Sequence, residues 1–148
     1  MRNQLLVSDP VALANRLRPA LLRLNRELRR EGASLGVTGG QATLLYLISG
    51  SPGVGVRELA TREGMSAAGM SGHVDRLEAA GFVRRVPSTD DRRRVGLELT
   101  GEGVRVLRAV RRRRTAWLAQ RLSRLDPAEL EAVERSLEPL ARLLEEGP

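Results

Sequence analysis

The sequence predicts a mainly α-helical fold of about six helices, broken once by a small β-hairpin. Three observations predict it. Leucines recur at spacings of three and four near both ends of the chain. Ala60, Gly64 and Met70 stand at spacings of four and six between two short amphipathic stretches. Directly after them, Val95, Leu97 and Leu99 alternate with Arg94, Gly96 and Glu98, the period of a half-buried strand.

Each element has its own signal. Leu13, Leu17, Leu21, Leu24 and Leu28 form one face of a long first helix, with Pro19 as a candidate kink. "GASLGVTGG" breaks it. Thr38 and Gln41 have capping-box spacing before Leu44, Leu45, Tyr46 and Ile48, which predicts a short, mostly buried helix. "VRELATREGMSAAGMSGHVDRLEAAGF" reads as two short helices joined at Gly64, lined by Val56, Leu59 and Ala60 and then by Met70, Val74 and Leu77. Ser66 is the N-cap of the second and Gly81 its stop. "FVRRV" and "RVGLELT" flank "PSTDDRR", a hairpin with a long tip. Thr100 caps a long helix with the stripe Leu107, Val110, Trp117, Leu118 and Leu122. Asp126, Pro127 and Glu129 open the last, with the stripe Leu130, Val133, Leu137, Leu140 and Leu144.

Composition narrows the function. A chain of 148 residues with 41% hydrophobic content suits one domain with a single core. The formal charge is +7, and all 25 basic residues are arginine, the side chain that grips phosphates and guanine edges in a bidentate way. That points to a polyanionic partner. With no cysteine and one histidine, His73, disulfides, thiol redox sensing and Cys- or His-rich metal sites are excluded. No cofactor is expected. No apolar run is long enough to span a bilayer and no signal-peptide pattern opens the chain, so a soluble, cytoplasmic protein without membrane contact is expected. Residues 101–125 hold eight arginines and one acid, residues 126–148 seven acids and two arginines. Such opposite charges suit packing against each other or against a second copy.

A helix-turn-helix needs a small residue where two helices cross, a glycine in the turn and an apolar plug in the second helix. Ala60, Gly64 and Met70 meet those needs. Followed at once by a two-stranded ribbon with Arg92, Arg93 and Arg94 at its tip, this is a winged helix-turn-helix. The second helix suits the DNA major groove and the tip a phosphate or the minor groove. Asp91 can pair with Arg93 and aim its guanidinium.

"VRELATREGMSAAGMSGHVDRLEAAGFVRRVPSTDDRRRVGLELTGEG" resembles the core of the MarR (multiple antibiotic resistance regulator) transcription factors, in "DRLEAAGFVRR", "DDRR" and "LELT" leading into a long helix. The element order over the whole chain fits as well. The resemblance implies homodimers built from the N- and C-terminal helices, residues 8–32 and 101–146, around a DNA-binding part at 38–100 within one chain fold, 1–148. It implies binding of pseudo-palindromic operators on double-stranded DNA, and release by a small, often phenolic or anionic, effector. By the family pattern, Ser66–Arg76 form the recognition helix, and Asp91 and Arg93 belong to the wing motif.

This recognition helix departs from the pattern. Its outward positions, Ala67, Ala68, Ser71, Gly72 and Asp75, offer little for bidentate contacts, and family members often carry a long polar residue where Gly72 stands. It is expected to fit the groove by shape, with arginines elsewhere, Arg76 and the wing among them, supplying most of the affinity. His73, on the stripe of Met70, Val74 and Leu77, reads as a partly buried structural histidine, with a pH sensor or ligand contact as the alternative. Val110, Arg114 and Trp117 share a stripe, so Arg114 points toward the core or a dimer seam and needs a counter-ion, either a C-terminal glutamate or an anionic effector, which the resembled fold would place near Tyr46. No nucleophile–base pair or phosphate loop argues for an enzyme. The rivals are a winged-helix module that binds proteins or shapes DNA without a specific operator, and a membrane-surface protein using the basic helix.

Overall fold

The structure, a computed structural model, describes residues 9–87 and 94–145. Among the described residues, six α-helices and one two-stranded antiparallel sheet form in the expected order. Residues 1–114 make one compact unit and 115–148 a second.

In the first unit, α1 (Pro10–Arg30) starts on Asp9, whose side chain accepts the N–H of Ala12. It runs unbroken through Pro19, which withholds an N–H from the Asn15 carbonyl. None of its residues is buried; Val11, Leu13, Leu21, Leu22 and Leu24 are exposed, and Leu17 and Leu28 half-buried. After a 3₁₀ turn at Ala33–Leu35, α2 (Gly39–Gly50) opens on the expected capping box: the Gln41 N–H donates to Thr38 Oγ1 at 3.1 Å and the Thr38 N–H to Gln41 Oε1 at 2.9 Å. Tyr46 is not buried with its neighbours as expected but 56% exposed. At 100° per residue it falls outside the arc of Ala42, Leu44, Leu45 and Ile48, which face the core.

Two short helices follow, α3 (Val56–Arg62) and α4 (Ala67–Ala79), then β1 (Val83–Pro87) and β2 (Val95–Leu99). The strands pair Val83 with Leu99 through Pro87 with Val95. The clean alternation expected of Val95, Leu97 and Leu99 holds only in part. Leu97 is fully buried, but Val95 is half exposed because it forms the last rung, opposite Pro87 and beyond the core. Gly96 is buried under the Gly53 backbone; a β-carbon there would lie 2.5 Å from the Gly53 carbonyl oxygen. Val54 adds a bridge on the outer edge of β2, with Leu97 N–H donating to its carbonyl at 2.9 Å.

The core runs from Val37 to Val110 and closes under the start of α5 (Gly101–Leu122), where Leu107 and Val110 complete it. Thr100 precedes α5 as its cap: its Oγ1 accepts the Gly103 N–H at 3.0 Å and its hydroxyl donates to the Gly81 carbonyl.

In the second unit, Trp117, Leu118 and Leu122 are half-buried, and the Arg121 guanidinium stacks 3.7 Å from the Trp117 ring centre. The helix α6 (Pro127–Arg142) opens on the Asp126–Glu129 capping box. It buries no residue, and Leu130, Val133 and Leu137 are exposed. No helix among the described residues is long and apolar enough to cross a membrane.

Candidate nucleic-acid interface

The α3–α4 pair is built as its sequence requires. Gly64 takes φ +63°, a left-handed turn that a side chain would strain. The Met65 N–H donates to the Ala60 carbonyl at 2.9 Å, which fixes the turn. Ala60 is 2% exposed at the crossing and Met70 fully buried. Ser66 Oγ accepts the Gly69 N–H at 3.0 Å, so α4 begins where its cap predicts. Gly81, at φ +82°, follows its end.

With Met70, Val74 and Leu77 turned inward, α4 presents the opposite face. Ala67, Ala68, Asp75 and Arg76 are exposed, and Ser71 and Gly72 half-buried. A β-carbon on Gly72 would meet nothing within 4 Å. Ala68, Ser71, Gly72, Asp75 and Arg76 therefore lie on the side away from the buried stripe, while Ala67, three residues before Met70, is exposed at the open first turn.

Asp75 is not a free acid on that surface. Arg85 of β1 donates to Asp75 Oδ1 at 2.6 Å, and its Nε lies 3.6 Å from Glu78 Oε1. This tie between α4 and β1 was missing from the sequence reading. Its partners are ten and seven residues apart, beyond the three- or four-residue spacing at which helix side chains meet, and only the return of β1 beside α4 brings them together. On the sheet itself, Arg84 and Glu98 pair across a rung at 3.0 Å.

At the wing, Arg94 is exposed beside the last rung and shares an open cleft of about 630 Å³ with Arg57 and Glu58. Asp91, Arg92 and Arg93 lie outside the described residues. Arg57 is a further cation on this side that the sequence analysis did not single out.

Two more clefts flank α2. One, of about 310 Å³, is lined by Tyr46, Thr43, Leu107, Val110, Arg111 and Arg114, so the two candidate effector residues do meet in one place. The Arg111 guanidinium lies 5.8 Å above the Tyr46 ring. Arg114 Nε and Nη2 are buried and make no hydrogen bond among the described residues. Burial, and then the charge of Arg29, lowers this guanidinium from its ordinary pKa. The other cleft, of about 370 Å³, is lined by Arg29, Glu63, Met65 and Leu44 together with His73 and Arg76 of α4. His73 is thus half-buried, as expected, but at a cleft wall. Thr43 lines both clefts, and Arg29 links them through its charge on Arg114.

The comparisons agree with this geometry. A family model described as MarR family matches residues 35–94. The uncharacterized HTH-type transcriptional regulator YfiV of Bacillus subtilis is 33% identical over 115 residues, covering 78% of this chain and 72% of that protein. An HTH-type transcriptional regulator of Mycobacterium tuberculosis is 29% identical over 143 residues, 97% of this chain and all of that one. Among solved structures, a MarR family protein from Bacillus stearothermophilus superposes with a TM-score of 0.77 at 25% identity, over 90% of this chain and 94% of that chain.

Proposed function

Because this chain belongs to the MarR family of winged-helix transcriptional regulators, we propose that it acts in the cytoplasm as a homodimeric repressor of a pseudo-palindromic operator, released by a small aromatic or anionic ligand. The observation that carries the operator reading is the accessible face of α4 beside an arginine-bearing wing. In this reading Ser66, Ala67, Ala68, Ser71, Gly72 and Arg76 meet the major groove. Asp91, Arg92, Arg93 and Arg94 serve the wing contact. Residues 38–100 are the DNA-binding part, and 8–32 and 101–146 the dimerising part. Supporting the dimer are the exposed apolar stripes of α1 and α6, which a second copy would cover.

Selection of duplexes from random DNA by the purified protein, followed by competition against unselected DNA, tests the operator. Enrichment of an inverted repeat bound by two chains is expected. A second reading, an architectural protein without a specific operator, is favoured by the scarcity of long donors on α4; equal competition by random DNA would select it. The same assay reads a substitution. Gly72→Arg is expected to tighten binding to DNA generally, or to shift the selected sequence, because it puts a long bidentate donor in the groove where a side chain meets nothing. Unchanged affinity and preference would show that position 72 does not face the bases.

For the effector, the supporting observation is Arg114 beside Tyr46, whose Nε and Nη2 are buried without a hydrogen-bond partner among the described residues. A carboxylate in that cleft would satisfy it and relieve its repulsion from Arg29, whose cleft reaches His73 and Arg76 of α4. Benzoate is the probe: it is expected to weaken DNA binding by the full-length protein, and Arg114→Met to abolish that response. Removing an uncompensated charge should also leave the melting temperature unchanged or higher. A lower melting temperature or a split dimer would assign Arg114 to holding the structure together.

A further inference from the structure

We propose that α4 distinguishes DNA sequences chiefly through the 5-methyl groups of thymine, met by the side chains of Ala67 and Ala68, and not through hydrogen bonds to base edges. The proposal rests on the reading of α4 as the groove-binding helix. In helix-turn-helix docking the N-terminal residues of the second helix reach the base edges. Here the first turn carries two exposed alanines.

The polar groups around those alanines are spoken for. The Ser66 hydroxyl oxygen caps the helix by accepting the Gly69 N–H at 3.0 Å. The two acids on this side are both engaged by Arg85, Asp75 through a hydrogen bond at 2.6 Å and Glu78 at 3.6 Å. Gly72 has no side chain. Ser71 is half-buried and short, reaching one atom at most. Arg76 stands more than two turns beyond Ala67, at the wall of the cleft with His73 and Glu63.

What remains is a pair of methyl groups that Cα–Cβ geometry tilts toward the entering end of the helix. Beside them, the absence of a side chain at Gly72 removes an obstacle to close approach. Among the four bases, thymine alone offers an apolar group in the major groove. A face of this kind gains by excluding water from that methyl, while the neighbouring donors and acceptors of the bases keep their own water.

The test uses the full-length protein and duplexes it selects from random DNA. Those duplexes are resynthesised with deoxyuridine for thymidine at the contacted positions, which removes the methyl and keeps the base pair. Each methyl withdrawn should cost about fourfold in affinity, so one per half-site costs roughly fifteenfold. The double variant Ala67→Gly, Ala68→Gly should lose affinity for the thymine duplex and no longer distinguish it from the uracil duplex. Glycines that merely loosened the helix would weaken both duplexes alike, and that result overturns the assignment to these residues. Equal binding of the wild-type protein to thymine and uracil duplexes overturns the proposal and leaves the operator reading intact. If no duplex is enriched over random DNA, both fail together.

Discussion

Deleting residues 127–148 is expected to abolish two-chain binding to the operator while leaving weak, salt-sensitive binding to any DNA. The buried core lies between Val37 and Val110, so the truncation removes none of it and the DNA-binding part should still fold. What it removes is an amphipathic helix whose Leu130, Val133 and Leu137 are 43%, 39% and 61% exposed. Leucines of this kind cost free energy in water unless something covers them, and α1 carries a similar stripe. If a second copy is the cover, its loss turns bivalent engagement of two half-sites into separate encounters. Linking two sites raises avidity by about 10²–10⁴ over either alone, and the truncated chain should lose a factor of that order. Its salt slope should fall by about half, because half as many phosphates are contacted per bound particle. Sedimentation and a salt series on the selected duplex read both effects. A truncated monomer that held the full operator with undiminished affinity would reject the dimer and favour the architectural reading.

What was legible in the sequence was local. Thr38 with Gln41, and Asp126 with Glu129, are three residues apart, and both boxes close as their spacing requires. Ala60, Gly64 and Met70 lie within eleven residues, and each takes the place its chemistry demands. Helical periodicity likewise separates the buried Met70, Val74 and Leu77 from Ala68 and Gly72, but it puts Ala67, three residues before Met70, on the buried stripe, and Ala67 is exposed because it stands at the open first turn. What was missed depends on elements meeting across the fold. No spacing rule ties Arg85 to Asp75, because the contact exists only once β1 returns beside α4. The strand pattern at Val95–Leu99 could not reveal that Gly53 lies over Gly96, whereas the exposure of Tyr46 follows from helical periodicity once the buried arc of α2 is known. The cleft that brings Arg29 of α1 to His73 and Arg76 of α4 joins residues more than forty positions apart.

Gly103→Ala is expected to destabilise the protein although alanine is the better helix former. Propensity alone predicts a gain of about 1 kcal/mol, since Gly103 lies within the first turn of α5. Packing predicts the reverse. A β-carbon there would fall well inside contact distance of the Phe82 carbonyl oxygen, and would stand 3.0 Å from the carbonyl carbon and 3.3 Å from Cα of the same residue. These are backbone atoms and cannot swing away as a side chain would. The same carbonyl already accepts the Thr100 N–H at 3.0 Å, while the Thr100 hydroxyl donates to Gly81. To admit the methyl, the start of α5 must retreat from the corner between α4 and β1. That strains the Thr100 bonds and lifts Leu107 and Val110, both buried, away from the core they complete. Overpacking of about 1–3 kcal/mol, with a hydrogen bond of about 1 kcal/mol weakened besides, outweighs the propensity gain. The net loss of roughly 1–3 kcal/mol should lower the melting temperature by about 3–10 °C at matched protein concentration. A melting temperature equal to or above that of the parent chain would mean that α5 does not pack this closely on Phe82.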